Sequence, residues 1–219
     1  RGGLHYTQRL ARWTIILWQV RGVTWSDQWT LLKSALAAPF LSFENVLEWQ
    51  NPILLADAQV QVRGVGAFFV RSYSDDLWHV LPWREQAVVK TVKDRLRKGD
   101  IFVDTGANIG FYTILASRIV GDSGRVLAVE MMPDTASILR QHLALNQATN
   151  VTVIEKALSD TAGQTITARV HKGHYGQASI AGVIQGDVRE VSVSTITLSQ
   201  VLENLTQVSL IKMDLEGAE

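Results

Sequence analysis

Cysteine is missing from all 219 residues. Disulfides, thiolate metal sites and cysteine nucleophiles are therefore excluded, and the composition fits a reducing compartment, so a cytoplasmic location is expected. Net charge is missing as well, because 21 Lys+Arg offset 21 Asp+Glu. No global field calls for nucleic acid or an anionic membrane. No apolar run approaches the ~20 residues that span a bilayer, and no secretory leader pattern is visible. Nucleic-acid partners and a transmembrane segment are not expected. Peripheral membrane contact is a lesser expectation, and a homo-oligomer stays open.

Tryptophan is missing from everything after position 83. All seven, at 13, 18, 25, 29, 49, 78 and 83, lie before that point. This composition shift separates a Trp-rich region, residues 1–83, from a second region, residues 84–219. Charge divides in the same direction: residues 1–98 carry 13 Lys+Arg against 8 Asp+Glu, which leaves the later part acidic. In the first region Tyr6, Leu10, Trp13, Leu17 and Val20 recur near helical spacing. Ser26 is the expected N-cap of a second helix carrying Trp29, Leu32 and Leu36. The aromatics either pack these helices inward or offer a surface to a partner, a membrane or an acceptor. Val60, Val62, Val65, Phe68 and Val70 read as a β-hairpin. Val88, Val92 and Leu96 mark a helix over residues 84–98, stopped by Gly99.

What is present from Asp100 onward is a run of α/β units. Ile101–Val103 is an apolar strand that ends on Asp104. A turn with Gly106, Asn108 and Gly110 follows, then a helix from Ile109 to Val120. A second strand, Arg125 to Val129, ends on Glu130. Pro133 opens another helix, with His142 on it as a packing or surface histidine, and Val151–Ile154 is a third strand. Gly106 removes a Cβ where the chain turns sharply, and the free N–H groups of the new helix face a polar ligand. Glu130, acceptor-only when ionised, suits a ribose diol. The same residues also fit a generic turn with solvated acids. The dinucleotide fingerprint places glycine at the first, third and sixth positions. Here these are Gly106, Asn108 and Phe111, so only the first fits.

The pattern Asp104-Thr105-Gly106-Ala107-Asn108-Ile109-Gly110-Phe111-Tyr112-Thr113 resembles motif I of class I S-adenosylmethionine-dependent methyltransferases, in its FkbM-type form. Leu210-Ile211-Lys212-Met213-Asp214-Leu215-Glu216-Gly217-Ala218-Glu219 is similar to that family's second signature. The resemblance covers about residues 85–219. It implies a Rossmann-like α/β sheet, S-adenosyl-L-methionine as cofactor, and O-methylation of a hydroxyl on a sugar or secondary metabolite. It implies cofactor contacts at Asp104, Gly106, Asn108, Gly110, Glu130 and Asp214, with Ala157 and Ser159 in a loop near the adenine. Further strands follow the fourth strand (Val208–Met213) in that fold. The isolated 219-residue chain is therefore expected to have a bare sheet edge and poor solubility.

A hydroxyl acceptor needs its proton removed, and the candidate bases are Asp214, Glu216 and His174. Asp214 could equally cap a neighbouring helix or bond the loop. His171 and His174 have a metal-like spacing, but no third ligand accompanies them, so no metal is expected. Two other functions compete. One is a non-catalytic module that docks through the Trp-rich region; the other is a nicotinamide oxidoreductase, which the glycine spacing opposes.

Overall fold

The computed structural model describes residues 2–41, 52–171, 178–179 and 188–215. The chain divides into two compact units, Arg1–Arg84 and Glu85–Glu219. His174, Glu216 and Trp49 lie outside the described residues.

The first unit runs α1 (Gly2–Gln19), β1 (Val20–Gly22), α2 (Trp25–Ala37), β2 (Ala58–Val62), β3 (Gly66–Val70) and α3 (Asp76–His79). β2 and β3 form the antiparallel hairpin, and β1 adds to β2. Val60 and Val62 alternate inward with exposed Gln59 and Gln61, as a half-buried strand requires. Asp76 is almost fully buried and is neutralised by a two-pronged Arg71 guanidinium, with contacts of 2.7 Å to each carboxylate oxygen.

Three expectations for this unit need correction. The N-cap of α2 is Thr24, not Ser26: the Thr24 hydroxyl accepts from the Asp27 amide, and Asp27 accepts in return from the Thr24 amide. Val20 belongs to a strand, since α1 passes directly into β1. The inward faces are Trp13 and Ile16 on α1, and Leu31, Ser34 and Ala35 on α2. Leu10, Trp18, Trp25, Trp29 and Leu36 are instead exposed, Trp25 at 91%.

The second unit opens with α4 (Gln86–Arg95). Its buried positions are Val89 and Val92, with Leu96 just past the helix end, while Val88 is only half-buried. Lys90 pairs with Asp94 on the outer side. Then come β4 (Ile101–Thr105), α5 (Phe111–Val120), β5 (Arg125–Val129), α6 (Pro133–Leu145) and β6 (Val151–Ile154). After these follow β7 (Ala157–Leu158), β8 (Thr165–His171), β9 (Ala178–Ser179), β10 (Val188–Ile196), α7 (Leu198–Leu202) and β11 (Leu210–Met213).

β11, β4, β5 and β6 form one parallel sheet in that order. β4 and β5 are buried along nearly their whole length, which explains why they read as unbroken apolar runs. One face packs Val103, Leu127 and Val129 against Val201 of α7. The other packs Ala128 and Ala107 against Leu139 of α6. Each fully buried Val or Leu among these stabilises by roughly 1.5–3 kcal/mol. A second sheet, ordered β7-β10-β8-β9, joins an antiparallel β8–β10 pair to a parallel β7–β10 pair. Ala157 and Leu158 are thus strand, not loop, because Thr195 and Ile196 of β10 offer them partners. Among the described residues no helix is long and apolar enough to cross a membrane.

Candidate functional site

Consecutive parallel strands place their outgoing loops at one edge of a sheet. Here β4 has β5 on one side and β11 on the other. The connection leaving β4 goes to β5, so a crevice opens beyond the carboxyl ends of β4 and β11. Such reversal points are where open α/β sheets hold ligands.

The turn after β4 is built on positive φ. Gly106 (+72°), Asn108 (+49°) and Gly110 (+92°) all adopt it. A Cβ on Gly106 would lie 2.0 Å from the Asp214 carbonyl oxygen, so glycine is what allows the turn to close on the end of β11. A Cβ on Gly110 would meet the Leu139 methyl at 2.3 Å. Asn108 tolerates its backbone through its side chain, whose Oδ1 accepts from the Ile109 amide at 2.8 Å. The Gly106 and Ala107 amides both donate to Val129 O, at 3.0 and 2.9 Å. This fastens the turn to β5. Buried His142 of α6 holds the far side through its Nδ1 at 2.7 Å from Ile109 O, which makes it a packing residue.

Asp104 is completely buried. Its Oδ2 accepts from the Thr113 hydroxyl at 2.7 Å, while its Oδ1 has no hydrogen-bond partner. Lys212 stands opposite Asp104 in the β4–β11 register, and its Nζ comes within 3.5 Å of that oxygen. Burial pushes the Asp104 carboxyl up from its ordinary value, and the Lys212 charge and the Thr113 hydrogen bond oppose this. The same Nζ lies 3.4 Å from Asp214 Oδ2 and donates to Gly106 O at 3.1 Å. Asp214 is anchored by its amide to Thr105 O, and its side chain is 46% exposed.

Glu130 lies at the end of β5. Its Oε2 accepts from the Asn108 amide at 2.8 Å and its Oε1 from the Met132 amide at 2.9 Å. Burial raises its pKa as well, against the pull of those two amides. Each oxygen keeps a second lone pair, so the carboxylate can still accept two hydroxyl donors.

The structure therefore brings Asp104, Gly106 and Asp214 into one cluster and joins Glu130 to Asn108 across the turn. Gly110 sits behind them against α6. Ala157 packs beside Met132, next to the amide that Glu130 holds. Ser159 is turned to the second sheet, with its amide on Ile196 O and its hydroxyl on Asp160. Sequence reasoning missed Lys212, Thr113 and Tyr112 as parts of the cluster. Lys212 sits within the second motif, but only the strand register reveals its partner.

The residues fit a cofactor with a diol and a cationic amino-acid end: a buried orphan oxygen on Asp104, spare lone pairs on Glu130, and a turn free of side chains at Gly106. The family model described as "Methyltransferase FkbM domain" matches residues 104–219. Among curated proteins, the chain is 32% identical over 71 residues to a probable cobalt-precorrin-6B C(15)-methyltransferase (decarboxylating) of Sulfurisphaera tokodaii, covering 32% of this chain and 37% of that one. It is 40% identical over 53 residues to the arsenite methyltransferase of Halobacterium salinarum, covering 24% of this chain and 14% of that one. The chain thus spans well under half the length of these curated relatives. Among solved structures, M. jannaschii TYW2 in complex with AdoMet aligns at 21% identity and a TM-score of 0.37, over 46% of this chain and 43% of that one. With a family match over more than half its length, on the same residues that build the crevice, the chain belongs to the FkbM-type family of class I S-adenosylmethionine-dependent methyltransferases.

Proposed function

We propose that the second unit binds S-adenosylmethionine across the carboxyl ends of β5, β4 and β11 and methylates a hydroxyl of a sugar or other small metabolite. The observation that carries this reading is the pairing of two buried acids at adjacent strand ends, Asp104 and Glu130, across a turn that only glycine can close. Bound there, the cofactor supplies an electrophilic methyl on a sulfonium. Glu130 would hold the ribose hydroxyls through its free lone pairs, and the Gly106–Gly110 turn would hold the amino-acid part. Ala157 would border the adenine. In-line displacement needs mainly positioning, for which effective molarities of ~10⁵–10⁸ M set the scale.

Asp214 is the candidate base. Its half-exposed carboxylate stands at the rim of the crevice, where it can take the proton that an acceptor hydroxyl releases. Such a base contributes ~10²–10⁴-fold. Glu216 and His174 remain candidates for the same role.

Calorimetric titration with S-adenosylhomocysteine, with NAD as control, tests the reading on the full protein and its Glu130→Ala variant. The parent should bind the homocysteine product, and NAD should give no heat. Loss of a doubly bonded carboxylate should weaken binding at least ~10-fold, from about 1.5–3 kcal/mol per charged hydrogen bond. A well-folded parent that gives no heat with S-adenosylhomocysteine refutes the proposal. A second reading, a docking module without catalysis, is favoured by the exposed Trp18, Trp25 and Trp29. Product binding without turnover on any hydroxyl acceptor would support it.

A further inference from the structure

One group in the crevice has no part in the reaction proposed above. The Nζ of Lys212 is surrounded by Gly106 O at 3.1 Å, Asp214 Oδ2 at 3.4 Å and Asp104 Oδ1 at 3.5 Å. The Tyr112 ring lies below it, with the centroid 5.4 Å away. That ring is fixed by its own hydroxyl, which donates to Glu85 Oε2 at 2.6 Å. Two carboxylates, a carbonyl and an aromatic face are all features that attract a cation.

An ammonium has three protons and no acceptor. Here three oxygens face it, and Gly106 O takes its hydrogen bond at 3.1 Å while Asp214 Oδ2 and Asp104 Oδ1 stay at 3.4 and 3.5 Å. Its fit is thus incomplete. Asp104 Oδ1 is fully buried, points into this cage and has no hydrogen bond. The cage is better suited to a cation placed deeper than a tethered lysine reaches. Its outer wall is Asp214, whose side chain is 46% exposed, against 11% for Lys212.

The geometry points to Lys212 as an internal stand-in for a ligand ammonium. Its Nζ fills, in the ligand-free chain, the subsite that receives the α-ammonium of the cofactor's amino-acid part, and it swings toward solvent when the cofactor seats. This rests on the cofactor reading above. No bond is made or broken; one ammonium replaces another. Buried Asp104 is thereby compensated both before and after loading, which avoids the cost of an unpaired buried charge.

The test uses two ligands that differ at this point: S-adenosylhomocysteine, which carries the amino-acid part, and 5′-methylthioadenosine, which lacks it. Lys212→Met removes the competitor and should tighten S-adenosylhomocysteine roughly 10-fold, the worth of one charge-assisted hydrogen bond. Affinity for 5′-methylthioadenosine should stay the same. Weaker S-adenosylhomocysteine binding overturns the proposal and makes Lys212 an anchor; equal shifts for both ligands overturn it in favour of a structural role. Because Lys212→Met leaves Asp104 without its counter-charge and could impair folding, a second measurement uses the parent protein. Reductive methylation mapped by mass spectrometry should spare Lys212 in the free protein and with 5′-methylthioadenosine, and modify it with saturating S-adenosylhomocysteine. Unchanged protection at saturation overturns the proposal alone, whereas failure of the parent to bind S-adenosylhomocysteine overturns the cofactor reading and this inference with it.

Discussion

Replacing Gly106 by alanine separates two reasons for a glycine. Gly163, in the same unit, supplies the control. Both have positive φ, +72° and +75°, but a Cβ on Gly163 meets nothing within 4 Å. Gly163→Ala should therefore cost only the left-handed strain, about 1–2 kcal/mol. Gly106→Ala adds a contact of 2.0 Å with the Asp214 carbonyl oxygen. That atom is backbone, so it cannot rotate away, and the end of β11 must shift by more than an ångström. Such a shift breaks the Asp214 amide bond to Thr105 O and the Lys212 bond to Gly106 O. At about 1 kcal/mol for the neutral bond and 1.5–3 for the charged one, the total reaches about 3–6 kcal/mol. Hydrogen exchange at the Ile101–Thr105 amides is the assay, since this strand lies inside the sheet. The two variants should differ by about 2–4 kcal/mol, or roughly 30- to 1,000-fold in exchange rate. Equal acceleration by Gly106→Ala and Gly163→Ala refutes the claim that close approach to β11 demands glycine.

Two further outcomes are expected. Asp104 and Glu130 have raised folded-state pKa values, so the folded form binds their protons more readily than the unfolded form. Their cost to stability is fully present only above the raised values and disappears as pH falls through them toward the ordinary carboxylate range near 4. Urea unfolding followed by circular dichroism should show stability rising as pH falls toward the ordinary carboxylate range, a trend reduced in Asp104→Asn, and parallel pH profiles for parent and variant would contradict it. Trp25 is 91% exposed, so Trp25→Ala should change stability by no more than about 0.5 kcal/mol. A loss above ~1.5 kcal/mol, measured by denaturant titration, would show that this side chain is covered.

The legible parts of the fold are those where local pattern and burial coincide. β4 and β5 are buried on both faces, and a continuous apolar run can mean little else when it ends at a turn with Gly106 and Gly110. The Thr197–Gln200 capping box at the start of α7 is of the same local kind, since both of its bonds lie within four residues. Exposed apolar residues defeated the same logic in α2. Trp29, Leu32 and Leu36 have the stronger stripe, yet Leu31, Ser34 and Ala35 pack inward, and the Ser34 hydroxyl receives the Leu55 amide at 3.0 Å. A buried serine leaves no trace in a hydrophobic pattern. The Thr24 cap was missed because Asp27 takes the place usually held by Glu or Gln in the box. Within the site, the acids at strand ends could be found by position, whereas the Lys212–Asp104 pairing spans 108 positions and depends on strand register. Ala157 becomes strand for the same kind of reason, through Thr195 of β10.

The division at Arg84 has an optical consequence. Every tryptophan belongs to the first unit and none to the second. Light absorbed by tryptophan alone therefore excites only the unit without the crevice. The crevice contributes Tyr112, whose phenol is bonded to Glu85. Tyrosine occurs in both units, so it is selective excitation of tryptophan that reports on the Trp-bearing unit. Ligands added to the crevice can be monitored by circular dichroism while tryptophan emission reports whether the first unit responds.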